Sequence, residues 1–224
     1  MSLPYRILLA LIATLVLGSA IYDSAKRGLA DWRGMRWRHE ISNWAERRSS
    51  PPPDRLQEAI ATLIDTLGLT PEDPTLREHM GIAHELRASA SPPGSLSARL
   101  NLAQSLEYFR QSAALRPTSP YTWANILLAK YRLGQFDDEY FDAMRNALTF
   151  GPWEPAVQLI VADAALGAWD RLDEDLRARA TENLRRATLR QSDGLARIAS
   201  FHRRLDLICA VAFKEMQNKV KCVK

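Results

Sequence analysis

The sequence predicts an all-α protein, a solenoid of helical hairpins behind an N-terminal transmembrane or signal-anchor helix. Three observations predict it. Pro117-Thr118-Ser119-Pro120 and Pro152-Trp153-Glu154-Pro155 bracket one helix pair and lie 35 residues apart. A third bracket, Pro71-Glu72-Asp73-Pro74, lies 46 residues before Pro117, and the Pro/Ser-rich stretch 89–95 accounts for the excess. Periods in the thirties are the mark of stacked hairpin repeats. Within the unit at 116–155 the apolar residues recur at helical spacing: Ala124, Leu127, Leu128 and Tyr131, then Phe136, Tyr140, Met144, Ala147 and Leu148. Finally, 7–22 is a run of 16 uncharged, mostly apolar residues.

That run, extended back to residue 3, reaches 20 residues with one charge, the length a spanning helix needs. Gly18-Ser19-Ala20 offers small residues for a signal cleavage site. Helical sequence continues almost unbroken to Arg48, which favours an uncleaved anchor. Residues 29–48 carry Trp32, Trp37 and Trp44 among arginines. Such a mixture suits the headgroup layer of a membrane; the alternative is that Trp37 and Trp44 pack against the first domain helix while the arginines are solvated, and it is strongest for Trp44. The predicted organisation is an anchor over 1–22, a juxtamembrane helix and linker over 23–53, and a helical repeat domain over 54–224.

The remaining elements follow from their stop and start signals. Ser49-Ser50-Pro51-Pro52-Pro53 ends the juxtamembrane helix. An amphipathic helix over 54–67 aligns Leu56, Ile60, Leu63, Ile64 and Leu67, and Gly68 is expected to stop it. Asp73 caps a helix over 75–88, with Thr75 and Glu78 as a capping box. Ser95 opens a long helix to Leu115. In the brackets the first proline cannot continue the preceding helix, and the second sits at a first helical position where its missing N–H costs nothing. Ser119 is a good N-cap and Glu154 a weaker one. Leu133-Gly134-Gln135 separates the central pair. Val157, Ile160, Val161, Ala164 and Leu166 make a helix buried on several sides, Trp169-Asp170-Arg171 turns the chain, and 172–190 pairs back. Asp193-Gly194 is expected to break the chain again before short helices at 195–203 and 204–217.

Charge and motif content exclude several functions. Residues 1–50 hold eight Lys/Arg and four Asp/Glu, so the net charge of +4 resides there and the other 174 residues are neutral. A basic stretch beside an apolar segment argues against nucleic acid as a partner. Gly-rich phosphate loops, Gly-x-Ser-x-Gly, His-Glu-x-x-His and Cys-x-x-Cys are absent from the sequence. His79 and His84 are five apart, not the four that a helical zinc pair wants. The acidic runs 137–139 and 173–175 sit at helix starts, where capping and the helix dipole explain them. No catalytic residue, cofactor or metal ligand is expected.

The central unit resembles a tetratricopeptide repeat: Leu127, Leu128, Tyr131, Ala147 and Pro152 fall on that family's offsets, while Tyr140 and Met144 depart from its small and aromatic residues. The stretches ALRPTSPYTWANILLAKYRLGQFD, ALTFGPWEPAVQLIVADAALGAWDRL and RRLDLICAV resemble the VpsP-type family of bacterial polysaccharide-biosynthesis proteins, over about residues 96–213, roughly half the chain. The most specific piece is Gly151-Pro152-Trp153-Glu154-Pro155 with the apolar helix after it. The resemblance implies a membrane-anchored accessory factor of exopolysaccharide machinery, and carries no catalytic residues.

Two functional expectations follow. One is a scaffold at the bacterial inner membrane that docks proteins of a polysaccharide synthesis or export complex, with Thr122, Asn125 and Arg132 lining a partner groove. The other is a glycan-binding or glycan-modifying domain, with Trp123, Trp153 and Trp169 at helix ends as platforms. Topology is contested. Lys26, Arg27, Arg33, Arg36 and Arg38 favour a cytoplasmic domain by the positive-inside rule, and the family resemblance favours a periplasmic one. Cys209 and Cys222 would stand about 20 Å apart on one straight helix, whereas a disulfide needs under about 7 Å between Cα atoms. A bond therefore requires the chain to fold back near 216–219, and two free thiols are the alternative.

Overall fold

The computed structural model describes residues 3–47, 49–212 and 222. Among the described residues there are ten α-helices and no strand: α1 (Leu3–Glu46), α2 (Pro53–Leu69), α3 (Pro74–Ser89), α4 (Leu96–Leu115), α5 (Pro120–Leu133), α6 (Asp138–Phe150), α7 (Pro155–Gly167), α8 (Glu174–Arg190), α9 (Ser192–Phe201) and α10 (Leu205–Val211). A short 3₁₀ turn, Trp169–Arg171, links α7 to α8.

Cap chemistry sets most boundaries. Asp73 accepts from the N–H groups of Thr75 and Leu76, Ser95 from Ala98, Ser119 from Thr122, Asp137 from Tyr140 and Asp173 from Leu176. Proline stands in the first turn of α2, α3, α5 and α7. Gly134 ends α5 with φ of 70°, a left-handed conformation that L side chains rarely adopt. Three expectations are corrected. Gly68 lies inside α2, because the backbone bonds continue to Thr70, whose N–H reaches Thr66 O. Thr75 and Glu78 do not form a capping box; Asp73 already serves both free N–H groups, and Glu78 turns to Arg116 at the end of α4. Asp193 and Gly194 lie in the first turn of α9, and the break falls at Gln191. Gly194 serves packing: a Cβ there would meet Leu159 of α7 at 3.1 Å. The final helix is described to Val211, and residues 213–217 of that expectation lie outside the described residues.

The helices pack as consecutive antiparallel neighbours, with α3 on α4, α5 on α6 and α7 on α8. Contacts also skip one element: α1 reaches α3, α5 reaches α7, α6 reaches α8, and α7 reaches α9. Three apolar cores result. The first joins α1, α2 and α3 through Trp37, Ile41, Leu56, Ile60, Leu63, Leu76 and Met80. The second, around Phe109, Leu127, Tyr140, Met144, Val161 and Leu176, runs from α4 to α8. The third gathers Ala162, Leu166, Leu184, Leu195 and Ile208. Ile82 packs against the first and second cores, and Trp169 against the second and third. Helix α7 feeds two cores from different sides, as its nearly continuous apolar sequence requires.

Helix α1 is one element of 44 residues that runs without interruption from the apolar stretch into the first core. It is long and apolar enough at its N-terminal end to cross a membrane, and that apolar stretch is not buried. Beyond it Ala30, Gly34, Trp37 and Ile41 form a buried stripe at spacings of four, three and four. At Gly34 a Cβ would stand 3.3 Å from Leu76, so the glycine lets α3 approach. The segment expected as a juxtamembrane helix is thus half stalk and half core element. At 1.5 Å per residue Trp32 stands about 15 Å along the helix from Tyr22, farther than an upright helix keeps a side chain among headgroups.

Candidate interaction surface

The three expected groove residues, Thr122, Asn125 and Arg132, all lie on α5. Thr122 is fully buried and donates from Oγ1 to Ser119 Oγ at 2.9 Å, so it reinforces the helix start and presents nothing to a partner. Asn125 is half-buried. Arg132 is exposed and pairs with Glu85 of α3 at 2.6 Å. Only Asn125 and Arg132 therefore reach the surface, and Arg132 is already engaged in tying two hairpins together.

Polar links of the same kind recur between elements. Glu78 of α3 pairs with Arg116 at 2.5 Å; burial pushes its carboxyl above the ordinary range, and Arg116 opposes that shift. Lys130 of α5, 1% exposed, donates to Asp137 at 2.9 Å and to Glu139 at 2.6 Å. Arg110 of α4 closes a fork on Glu139 at 2.8 and 2.6 Å. The hydrogen bonds from Arg110 come first in holding the Glu139 carboxyl down to about 2, against its partial burial. The buried ammonium is satisfied because its helix ends just before the acidic start of α6. That arrangement explains the run 137–139: Asp137 caps the helix, and Glu139 anchors two neighbours.

Three of the four histidines, His79, His84 and His202, are held as structural groups. His79 shares hydrogen bonds with Thr75 O at 2.7 Å and Ser42 Oγ at 3.2 Å, and burial lowers its pKa. His84 bonds Asn101 at 3.3 Å and stacks on Tyr108. His202 meets Asp163 at 2.7 Å. No group of three His, Cys, Asp or Glu side chains is placed to share a metal among the described residues.

The three platform tryptophans have different fates. Trp123 packs against the second core and donates from Nε1 to Pro117 O at 2.7 Å. Trp169 is wedged between two cores. Trp153 alone is open, 62% exposed, with the Arg186 guanidinium 4.8 Å from its ring centroid. Beside it lies a shallow depression of about 220 Å³ lined by Trp153, Gln158, Arg186, Leu189 and Arg190. Sequence reasoning named Trp153 without separating it from the other two, since the residue type alone does not reveal which helix end remains uncovered. Trp32 is a second open indole, 72% exposed, on the face of α1 turned away from the buried stripe.

At the C-terminal end Cys209 of α10 and Cys222 are joined by a disulfide with a Cα–Cα distance of 5.3 Å. Cys222 packs against the third core, so the bond ties the chain terminus to α10. The stretch 216–219, where the return was expected, lies outside the described residues. No protein-family model matches the chain, and no curated protein matches it.

Proposed function

We propose that the protein is a membrane-anchored helical scaffold of the VpsP-type family. In this reading it holds proteins of a polysaccharide synthesis or export complex at the bacterial inner membrane, by protein–protein contact and not by catalysis. The observation that carries the reading is the unbroken α1, which joins the apolar stretch to the first core and gives the domain a fixed mount. The stacking of α5 on α7 and of α6 on α8 supports a tetratricopeptide-like array. The partner surface then falls on Asn125, Arg132 and their neighbours, with Thr122 as internal support. The helical domain lies in the periplasm. The disulfide supports that side, because such bonds persist in oxidising compartments. The five basic residues after the span act against it, yet a large domain can be translocated despite nearby charge.

Alkaline phosphatase fused after Lys224 tests the topology: high activity is expected, and an inactive but fully expressed fusion with alkylatable cysteines places the domain in the cytoplasm. Crosslinking and pulldown from cells test the surface. An Asn125→Ala/Arg132→Ala variant is expected to lose a partner together with polymer output. Loss of polymer with every partner retained removes the groove from the account.

A further inference from the structure

The depression at Trp153 has the features of a binding site that the scaffold role does not need. The turn that carries the indole is braced. Pro152 and Pro155 restrict the turn, Gln158 donates from Nε2 to Pro152 O at 3.0 Å, and the Glu154 N–H reaches Gly151 O at 3.2 Å. Glu182 accepts from Arg186 at 2.8 Å and so fixes the guanidinium that covers part of the indole. A preorganised aromatic surface loses little entropy when a ligand settles on it. The indole N–H of Trp153 has no hydrogen-bond partner among the described residues, and Arg190, exposed at the end of α8, has neither an ion pair nor a hydrogen bond there. The lining contains no carboxylate. The nearest one in sequence, Glu154, accepts the hydroxyl of Tyr121.

We infer that this depression binds an acidic sugar residue, a pyranose carrying a carboxylate, with the C–H face of the ring on Trp153 and the carboxylate on Arg190. A flat apolar platform beside a forked cation suits a ligand that is flat and apolar on one face and anionic at its edge. The Trp153 N–H is left for a ring hydroxyl. A peptide segment fits less well, because the depression is walled by helices whose backbone groups are internally bonded and offers no main-chain edge to pair with. The inference stands without the scaffold reading, since it concerns different residues and a different class of ligand.

The test is isothermal titration of the full-length protein in nanodiscs with short oligogalacturonates, neutral maltooligosaccharides and polyglutamate. Saturable binding of the oligogalacturonate, falling as salt rises, is expected. It should weaken roughly tenfold or more in Trp153→Ala and in Arg190→Gln, with thermal midpoints kept near that of the wild type. Arg190→Lys should recover part of it. Absence of binding overturns the proposal, as does equal binding by Trp153→Ala or equal affinity for the neutral sugar. Tighter binding of polyglutamate also overturns it and assigns the depression to an acidic protein segment.

Discussion

Glu139 receives two cations from two helices, and its energetics set a pH dependence. Its folded carboxyl is held down to about 2, first by the Arg110 hydrogen bonds, below the ordinary value of about 4.3 for an unfolded chain. A depressed carboxylate contributes stability that is complete above the unfolded value and is lost as pH falls through the folded one. The loss is therefore expected between about pH 5 and pH 2. Solvent reaches a third of the side chain, which limits the contribution to roughly 1 kcal/mol. Urea unfolding at pH 7 and pH 3 checks this: Glu139→Gln should be less stable than wild type at pH 7, and the gap should narrow at pH 3. Glu78 acts in the opposite sense, since its raised carboxyl favours the folded state more at lower pH. Glu78→Gln should therefore steepen the acid loss. The acidic runs were legible as helix starts, because Asp137 and Asp173 sit where a cap belongs. The second role of Glu139 was not, because it depends on Arg110, 29 positions away.

At the scale of elements, the closest helix approaches rest on glycines that look like breaks when read one at a time. Gly81 of α3 faces Phe109 of α4, and a Cβ there would clash with the buried ring. Gly81→Ala should destabilise the protein by about 1–3 kcal/mol through overpacking. Gly68 of α2 has open space around it, so Gly68→Ala should stabilise by about 0.5–1 kcal/mol through its better helix propensity. Thermal melts of the two variants give opposite shifts if this account holds. Element types and caps could be read from the prolines, from Asp73, Ser95 and Ser119, and from the 3.6-residue periodicity, because these signals are local. The errors at Gly68 and Gly194 have different physical sources: Gly68 sits inside α2 in open space, whereas Gly194 admits Leu159 of α7, and in sequence neither differs from a glycine that ends a helix. Thr122 was misplaced for a related reason. Its position on α5 was right, but the neighbours covering that face come from other parts of the chain.

For the whole molecule, cross-links decide how the two ends behave. The disulfide closes a loop across 13 positions and holds the terminus on the third core. Replacing both cysteines by serine should cost roughly 3 kcal/mol in the chain-entropy account. Hydrogen exchange should show the loss of protection first in α9 and α10, since the first core shares no residues with the third. Uniform loss across all ten helices would mean that the domain unfolds as one unit. The bond could not be decided from spacing, because a separation of 13 fits either a return or a straight helix. The long apolar N-terminal helix could be read from composition. Its fusion with the first core could not, because Ala30, Gly34, Trp37 and Ile41 reveal themselves as a stripe only once α2 and α3 are present to cover them.

The unbroken run of α1 has a mechanical corollary. With residues 7–22 in a bilayer, the rod is a lever whose short arm is in lipid and whose long arm ends in the first core. From the middle of the span to Glu46 is about 50 Å at 1.5 Å per residue. Spanning helices stand on average about 20° from the bilayer normal, and they tilt further where the bilayer is thinner than their apolar stretch. Such a tilt sweeps the far end of this lever sideways by roughly 17 Å, about the width of two packed helices. The thickness of the surrounding lipid would thereby become a lateral displacement of the helical domain.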